Sequence, residues 1–214
     1  MEDNKKNYVI TVSREFGSGG RAIALKIGEM LDIPVYDRHF LEKIQEEYKV
    51  DKQTMDHIKG TRSNGWLQFA KSYRQQESDN NVAMREIRSR VTSQELYKAE
   101  EELLTSAAAE GSCVVLGRSS YHIFRNHPRA FKVMIVADRE ARLQRIISKY
   151  DFSAKDAEKA MEDVDKARDN YANTFSKTDR HDMRNFDMML NVTCIPTDTA
   201  ARLIAEAAKC RFGL

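Results

Sequence analysis

Val9-Ile-Thr-Val-Ser-Arg-Glu-Phe-Gly-Ser-Gly-Gly-Arg21 decides the fold, because a β-branched strand runs into a glycine-rich loop that opens directly into a helical pattern. The amides of such a loop, together with the positive end of the following helix, converge on an anion without needing a side chain. The stretch therefore points to a nucleotide. The helix is read over residues 20–31, where Ile23, Ile27, Met30 and Leu31 recur at three- and four-residue spacings on one face.

Working outward, Ile33-Pro-Val-Tyr36 reads as a brief second strand with Asp37 at its C-terminal end, and helical periodicity resumes from Arg38 through Phe40, Leu41 and Ile44. Residues 50–110 read as a helical insertion on the acceptor side. Within it, the polar stretch from Arg74 to Asn81 is either part of a lid or a solvated loop. The stripe of Trp66, Phe69 and Tyr73 is either core or a platform for a pyrimidine. A helix over 91–109 stops at Gly111; strands follow at Cys113-Val-Val-Leu116 and Ala130-Phe-Lys-Val-Met-Ile-Val136. A charged helical region over 138–171, a short strand at 187–191 and an alanine-rich helix over 197–209 complete the chain. Strands alternating with helices give an α/β domain, a parallel sheet of about five strands with helices on both faces. Ligands bind such sheets at the strands' C-terminal ends, where Ser13, Asp37, Gly117 and Asp138 stand.

Composition sets loose bounds. The chain has 214 residues, 41% hydrophobic and 32% charged, enough for one domain over 1–214 with a lid at 150–186. A net charge of +2 is too near neutral to name nucleic acid as the main partner. Cys113, Cys194 and Cys210, odd in number and far apart, read as reduced thiols of a cytoplasmic protein. The charged opening and the shortness of the first apolar run predict no signal peptide, no membrane span and no membrane partner. His39, His57, His122, His127 and His181 have no metal-ligand spacing, and Ser119-Ser120 lacks the frame of a nucleophile elbow. Oligomeric state is left open.

The loop has competing readings. Gly17-x-Gly19-x-x-Ala22, with Asp37 twenty residues after the first glycine, matches the fingerprint of an NAD(P)-binding dinucleotide fold. Against it, Ser13 to Phe16 intervene between the strand and Gly17, which makes a larger loop suited to wrapping a phosphate chain. An unliganded strand-to-helix turn is the third reading. Registered on a Walker A motif, Arg14 takes the first glycine, Gly19 the second, Gly20 the lysine and Arg21 the hydroxyl position. Arg14 or Arg21 is then left to supply the cation to the β- and γ-phosphates.

Ser13-Arg-Glu-Phe-Gly-Ser-Gly-Gly-Arg21, Val35-Tyr-Asp-Arg38, Val115-Leu-Gly-Arg118 and Phe186-Asp-Met-Met-Leu-Asn191, in this order, resemble the cytidylate kinase-like family of P-loop nucleoside monophosphate kinases. The resemblance implies a P-loop NTPase-type three-layer fold and transfer of the γ-phosphoryl of ATP, with Mg²⁺, to CMP or dCMP. It places Arg14, Gly17, Ser18, Gly19, Gly20 and Arg21 around the donor phosphates, Asp37 and Arg118 toward the acceptor, and Arg21, Arg118 and Arg168 in catalysis. Ser119 stands where the family's Gly-Arg-Asp motif has aspartate, and Ala172 and Phe175 stand at the lid's later aspartate and arginine. A nucleotide-binding regulatory protein without transfer is the alternative that the missing lysine and Ser/Thr support.

Phosphoryl transfer needs phosphates held in line, water excluded and positive charge over the moving group. Arg139, Arg142 and Arg145, with Lys166, Arg168, Arg180 and Arg184, are either such a cationic cover or solvated helix faces. Asp138 is a Mg²⁺ ligand through water or a helix cap; Asp37 is an acceptor contact or the cap of the helix from Arg38.

Overall fold

The structure is a computed structural model that describes residues 7–40 and 94–214. Trp66, Phe69, Tyr73, the polar stretch at 74–81 and most of the expected insertion lie outside those residues. Five strands are described: β1 (Val9–Arg14), β2 (Val35–Tyr36), β3 (Cys113–Leu116), β4 (Ala130–Val136) and β5 (Met188–Asn191). They form one sheet in the order β2-β3-β1-β4-β5, with every pairing parallel. This order does not fit the dinucleotide fold, in which the first two strands are neighbours, because β3 lies between β1 and β2.

Alternation along β1 assigns its side chains to the two faces. Ile10 and Val12 join Ile23 and Ile27 of α1 (Gly20–Leu31) and Ile204 and Ala208 of the last helix in one core. Val9 on the opposite face joins Cys113, Val115 and, from α2 (Gln94–Glu110), Leu103, Leu104 and Ala107 in another. Both faces are covered, which is why the strand reads as a continuous apolar run. Each fully buried Leu or Ile side chain contributes about 2 kcal/mol by leaving water.

Several boundaries differ from the sequence reading for local reasons. The second strand loses Ile33, whose amide closes α1 on Gly28 O at 3.0 Å, while Pro34 still lends its carbonyl to Val114 N at 2.9 Å. A four-residue helix, α3 (Ser120–Ile123), follows β3. The charged region after β4 is two helices, α4 (Arg139–Tyr150) and α5 (Ala154–Tyr171). Asp151 in the left-handed region (φ 54°) ends the first, and Ser153 Oγ caps the second by accepting from Asp156 N. A π-helical turn over Ala172–Ser176 continues α5. The final helix, α6 (Thr197–Phe212), runs one turn past residue 209 before Gly213 ends it. Among the described residues, no helix is long and apolar enough to cross a membrane.

Candidate active site

The loop after β1 is held from outside. Glu15 O accepts from Ser18 N at 3.3 Å and from Ser18 Oγ at 2.8 Å, closing a tight turn. Phe16 O accepts from Arg142 Nε at 2.7 Å, Ser18 O from Arg145 Nη1 at 3.5 Å, and Gly19 O from Ile23 N at 3.1 Å, the first helical bond of α1. With these carbonyls engaged, what the loop has to offer an anion is amides, at the positive end of a twelve-residue helix. Gly17 has φ 78°, and a Cβ there would lie 2.7 Å from Arg142 O and 2.9 Å from Ile146 Cδ1. The loop therefore sits directly on α4, and only glycine permits that approach.

Arg142 is the clamp. Besides Phe16 O it pairs with Asp165 and lies 3.4 Å from the Glu15 carboxylate, which accepts from Ala137 N at 3.1 Å. Asp165 also takes Phe16 N at 2.9 Å and lies 3.4 Å from both Arg168 and Arg180. One carboxylate on α5 thus ties three arginines to the loop backbone.

Beside the loop lies a cavity of about 270 Å³, walled by the end of β1, residues 117–119 after β3, α5 with its π-helical turn, and Arg180. Gly117, Arg118 and Ser119 are all left-handed, at φ 76°, 57° and 50°. Strain of this kind, about 1 kcal/mol or more for each non-glycine residue, persists where surrounding contacts enforce it. Arg118 supplies such contacts: its Nε and Nη2 donate to Glu100, and its guanidinium lies 4.3 Å over the Tyr171 ring. Tyr171 Oη donates to the same carboxylate at 3.0 Å, and burial raises the Tyr171 phenol above its ordinary range, so it stays a donor. Behind it, Tyr97 stacks on Phe175 at 5.0 Å, its own phenol pushed up to about 12 by burial.

Arg168 Nη1 and Arg180 Nη1 both donate to Arg14 O, each at 3.2 Å. Arg14, Arg118, Arg168 and Arg180, together with Arg38 after β2, line one cavity at the C-terminal edge of the sheet. A 270 Å³ cleft lined by five arginines and an aromatic wall suits a phosphorylated ligand with a planar part.

The cytidylate kinase-like family matches the chain over residues 9–194. The chain belongs to that family. Among solved structures it is similar to an uncharacterized protein from Eubacterium ventriosum ATCC 27560, at 21% identity and TM-score 0.66 over 95% of this chain and 99% of that one. It is also similar to a shikimate kinase from Bacteroides thetaiotaomicron, at 10% identity and TM-score 0.51 over 97% and 99% of the two chains. These likenesses establish the fold as that of a P-loop kinase. No curated protein matches the chain.

In this cytidylate kinase-like chain the expected site residues separate into two groups. Arg14, Arg118 and Arg168 line the cavity, and Gly17, Ser18, Gly19 and Gly20 form the adjoining loop. Arg21 and Asp37 pair with each other at 3.3 Å and do not line the cavity, although Arg38, next to Asp37, does. Asp37 also caps the helix that begins at Arg38, accepting from Phe40 N at 2.9 Å. Asp138 is exposed at the end of β4; its backbone opens α4, but its carboxylate accepts from Asn191 Nδ2 at 3.1 Å and caps nothing. Among the described residues, no three His, Cys, Asp or Glu side chains cluster to hold a metal.

The basic residues separate by their partners. Arg142 and Arg145 hold the loop, Arg168 and Arg180 enter the cavity, and Arg139 and Arg184 make surface pairs with Glu158 and Asp182. The sequence reading missed Glu100 and Asp165 altogether. Asp165 and Arg168 stand at i,i+3 on one helix, and that spacing is the available hint. At the lid positions Ala172 is buried at the start of the π-helical turn, while Phe175 completes the aromatic wall.

Proposed function

We propose that this protein transfers the γ-phosphoryl group of ATP to a nucleoside monophosphate, with CMP or dCMP as the first acceptor to test. The observation that carries the reading is the convergence of Arg14, Arg38, Arg118, Arg168 and Arg180 on one cavity beside the glycine loop.

In this reading the loop amides and the N-terminus of α1 hold the donor phosphates, with Arg142 and Arg145 fixing the loop so that no reorganisation is needed at the moment of transfer. Arg168 and Arg180, already anchored to Arg14 O, place positive charge where charge builds on the moving group. Arg118 faces the acceptor phosphate, and the wall of Tyr97, Tyr171 and Phe175 excludes water. Arg21, in the first turn of α1, links the donor side to Asp37 on the acceptor side. Mg²⁺, bound with the donor, would neutralise charge on its phosphate oxygens, with Asp138 the candidate protein ligand through water. The polyphosphate itself supplies most of its ligands, so a single carboxylate and waters suffice from the protein.

The test is a transfer assay with ATP and Mg²⁺ against a panel of nucleoside and deoxynucleoside monophosphates. Selective diphosphate formation from one acceptor is expected, with Arg21→Ala lowering kcat by about 10²-fold. No turnover of any acceptor despite ATP binding sinks the kinase reading. The binding-protein alternative, which the loop without the usual lysine and Ser/Thr favours, then takes its place. Unchanged binding and turnover in Arg21→Ala would remove the role given to that cation.

A further inference from the structure

Glu100 is 3% exposed at mid-helix in α2, and three elements far apart in sequence meet at its carboxylate. Arg118 reaches it from the left-handed turn after β3, through Nε and Nη2. Tyr171 reaches it from the last residue of α5 through its hydroxyl. The Arg118 side chain is itself only 8% exposed, yet it lines the cavity and lies over the Tyr171 ring. A guanidinium gripped along its Nε edge has its Nη1 donors left for a ligand, and a buried guanidinium without a carboxylate would have reason to leave the site. Ser119, which follows Arg118 where the resembled motif has aspartate, makes no ion pair; the carboxylate comes from eighteen residues earlier instead.

We propose that Glu100 is a positioning residue. It holds Arg118 side-on against Tyr171, so that the free edge of the guanidinium meets the acceptor's phosphate at a set angle, and it acts on the ligand only through Arg118. This rests on the kinase reading for the identity of the acceptor and on geometry for the clamp. Because Tyr171 ends α5, the clamp also couples the α5 and π-turn wall to the acceptor side of the cavity.

The experiment measures kcat and KM for ATP and for CMP in wild type, Glu100→Gln, Arg118→Ala, the double variant and Tyr171→Phe. Glu100→Gln is expected to lower kcat/KM for the monophosphate by about 10²-fold through misplacement of the guanidinium, while KM for ATP stays within about twofold. The double variant should match Arg118→Ala alone, since a residue acting through another adds nothing once that other is gone. Tyr171→Phe should give a smaller loss with the same signature. Losses that multiply in the double variant, or that fall equally on ATP and CMP, mean a merely structural carboxylate and overturn the proposal, as does an unchanged Glu100→Gln. Should Glu100→Gln not fold, the double variant removes both buried charges, and Tyr171→Phe carries the test of the clamp.

If wild type transfers to no monophosphate, the kinase reading fails and the clamp is decided separately by ³¹P-detected titration with inorganic phosphate. Equal weakening in Arg118→Ala and Glu100→Gln sustains it. No phosphate binding by wild type, or unaltered binding in Glu100→Gln, overturns it.

Discussion

The glycine loop and the turn at 117–119 both place left-handed backbone at the edge of the same sheet, but they are held in different ways. The loop is fixed by backbone: its carbonyls accept from arginines of α4, and Gly17 is pressed against the carbonyl of Arg142. The turn is fixed by side chains: Arg118 by Glu100 and Tyr171, and Gly117 by the Arg14 guanidinium, whose Nη1 lies where a Cβ would be 1.9 Å away. In both places side chains do the gripping, but at the loop the gripped atoms are main-chain atoms and at the turn they belong to the Arg118 side chain. The grip on the loop therefore sets main-chain amides, and the grip on the turn sets where one guanidinium lies.

The largest effect expected on breaking that contrast is at the clamp. Arg142→Ala strips Glu15 of its guanidinium and Phe16 O of its donor, while Asp165 keeps Arg168 and Arg180; it should lower stability by about 3 kcal/mol in a urea melt and, on the proposed kinase reading, weaken nucleotide binding. Next come the two glycines. Gly17→Ala must move backbone as well as adopt φ 78°, and about 2 kcal/mol or more of destabilisation is expected. Gly117→Ala meets only the far end of a flexible arginine, so its cost should be the left-handed backbone alone, about 1 kcal/mol. Equal losses at the two positions in parallel denaturation curves would erase the distinction. The smallest effect concerns the thiols. Cys113 is fully buried and burial pushes its thiol up to about 12, whereas Cys194 and Cys210 are exposed. Native protein should incorporate two alkyl groups per chain by mass spectrometry, the third only after unfolding, with no change in activity.

The strands were legible because a parallel strand with both faces covered must be apolar throughout, and β3 and β4 match their sequence reading residue for residue. The helix breaks were less so. Nothing in the periodicity of 138–171 forces an end at Asp151; Ser153 with Asp156 is a capping signal that the charge density of the region obscured. In the site, the glycines were legible because a turn of that shape admits few residue types. The arginines were legible only in part: Arg14, Arg118 and Arg168 line the cavity, but the roles of the other basic residues did not show in their spacing. Arg139, Arg142 and Arg145 share one helix at equal spacing, yet one pairs at the surface and two hold the loop.

The sequence by itself determined the parallel α/β architecture, the strand–loop–helix that opens it and its family. These follow from backbone sterics, alternation and short-range spacing, which act between residues close in the chain. Only the tertiary structure decided which cations serve the cavity, that Asp165 binds the amide of Phe16 149 residues away, and that Glu100 supplies the carboxylate for Arg118. A guanidinium at the end of a long, flexible stem takes its role from whichever carboxylate or carbonyl the packing brings within about 3 Å. That distance is set by how helices lie on a sheet, which the spacing of residues along the chain does not encode.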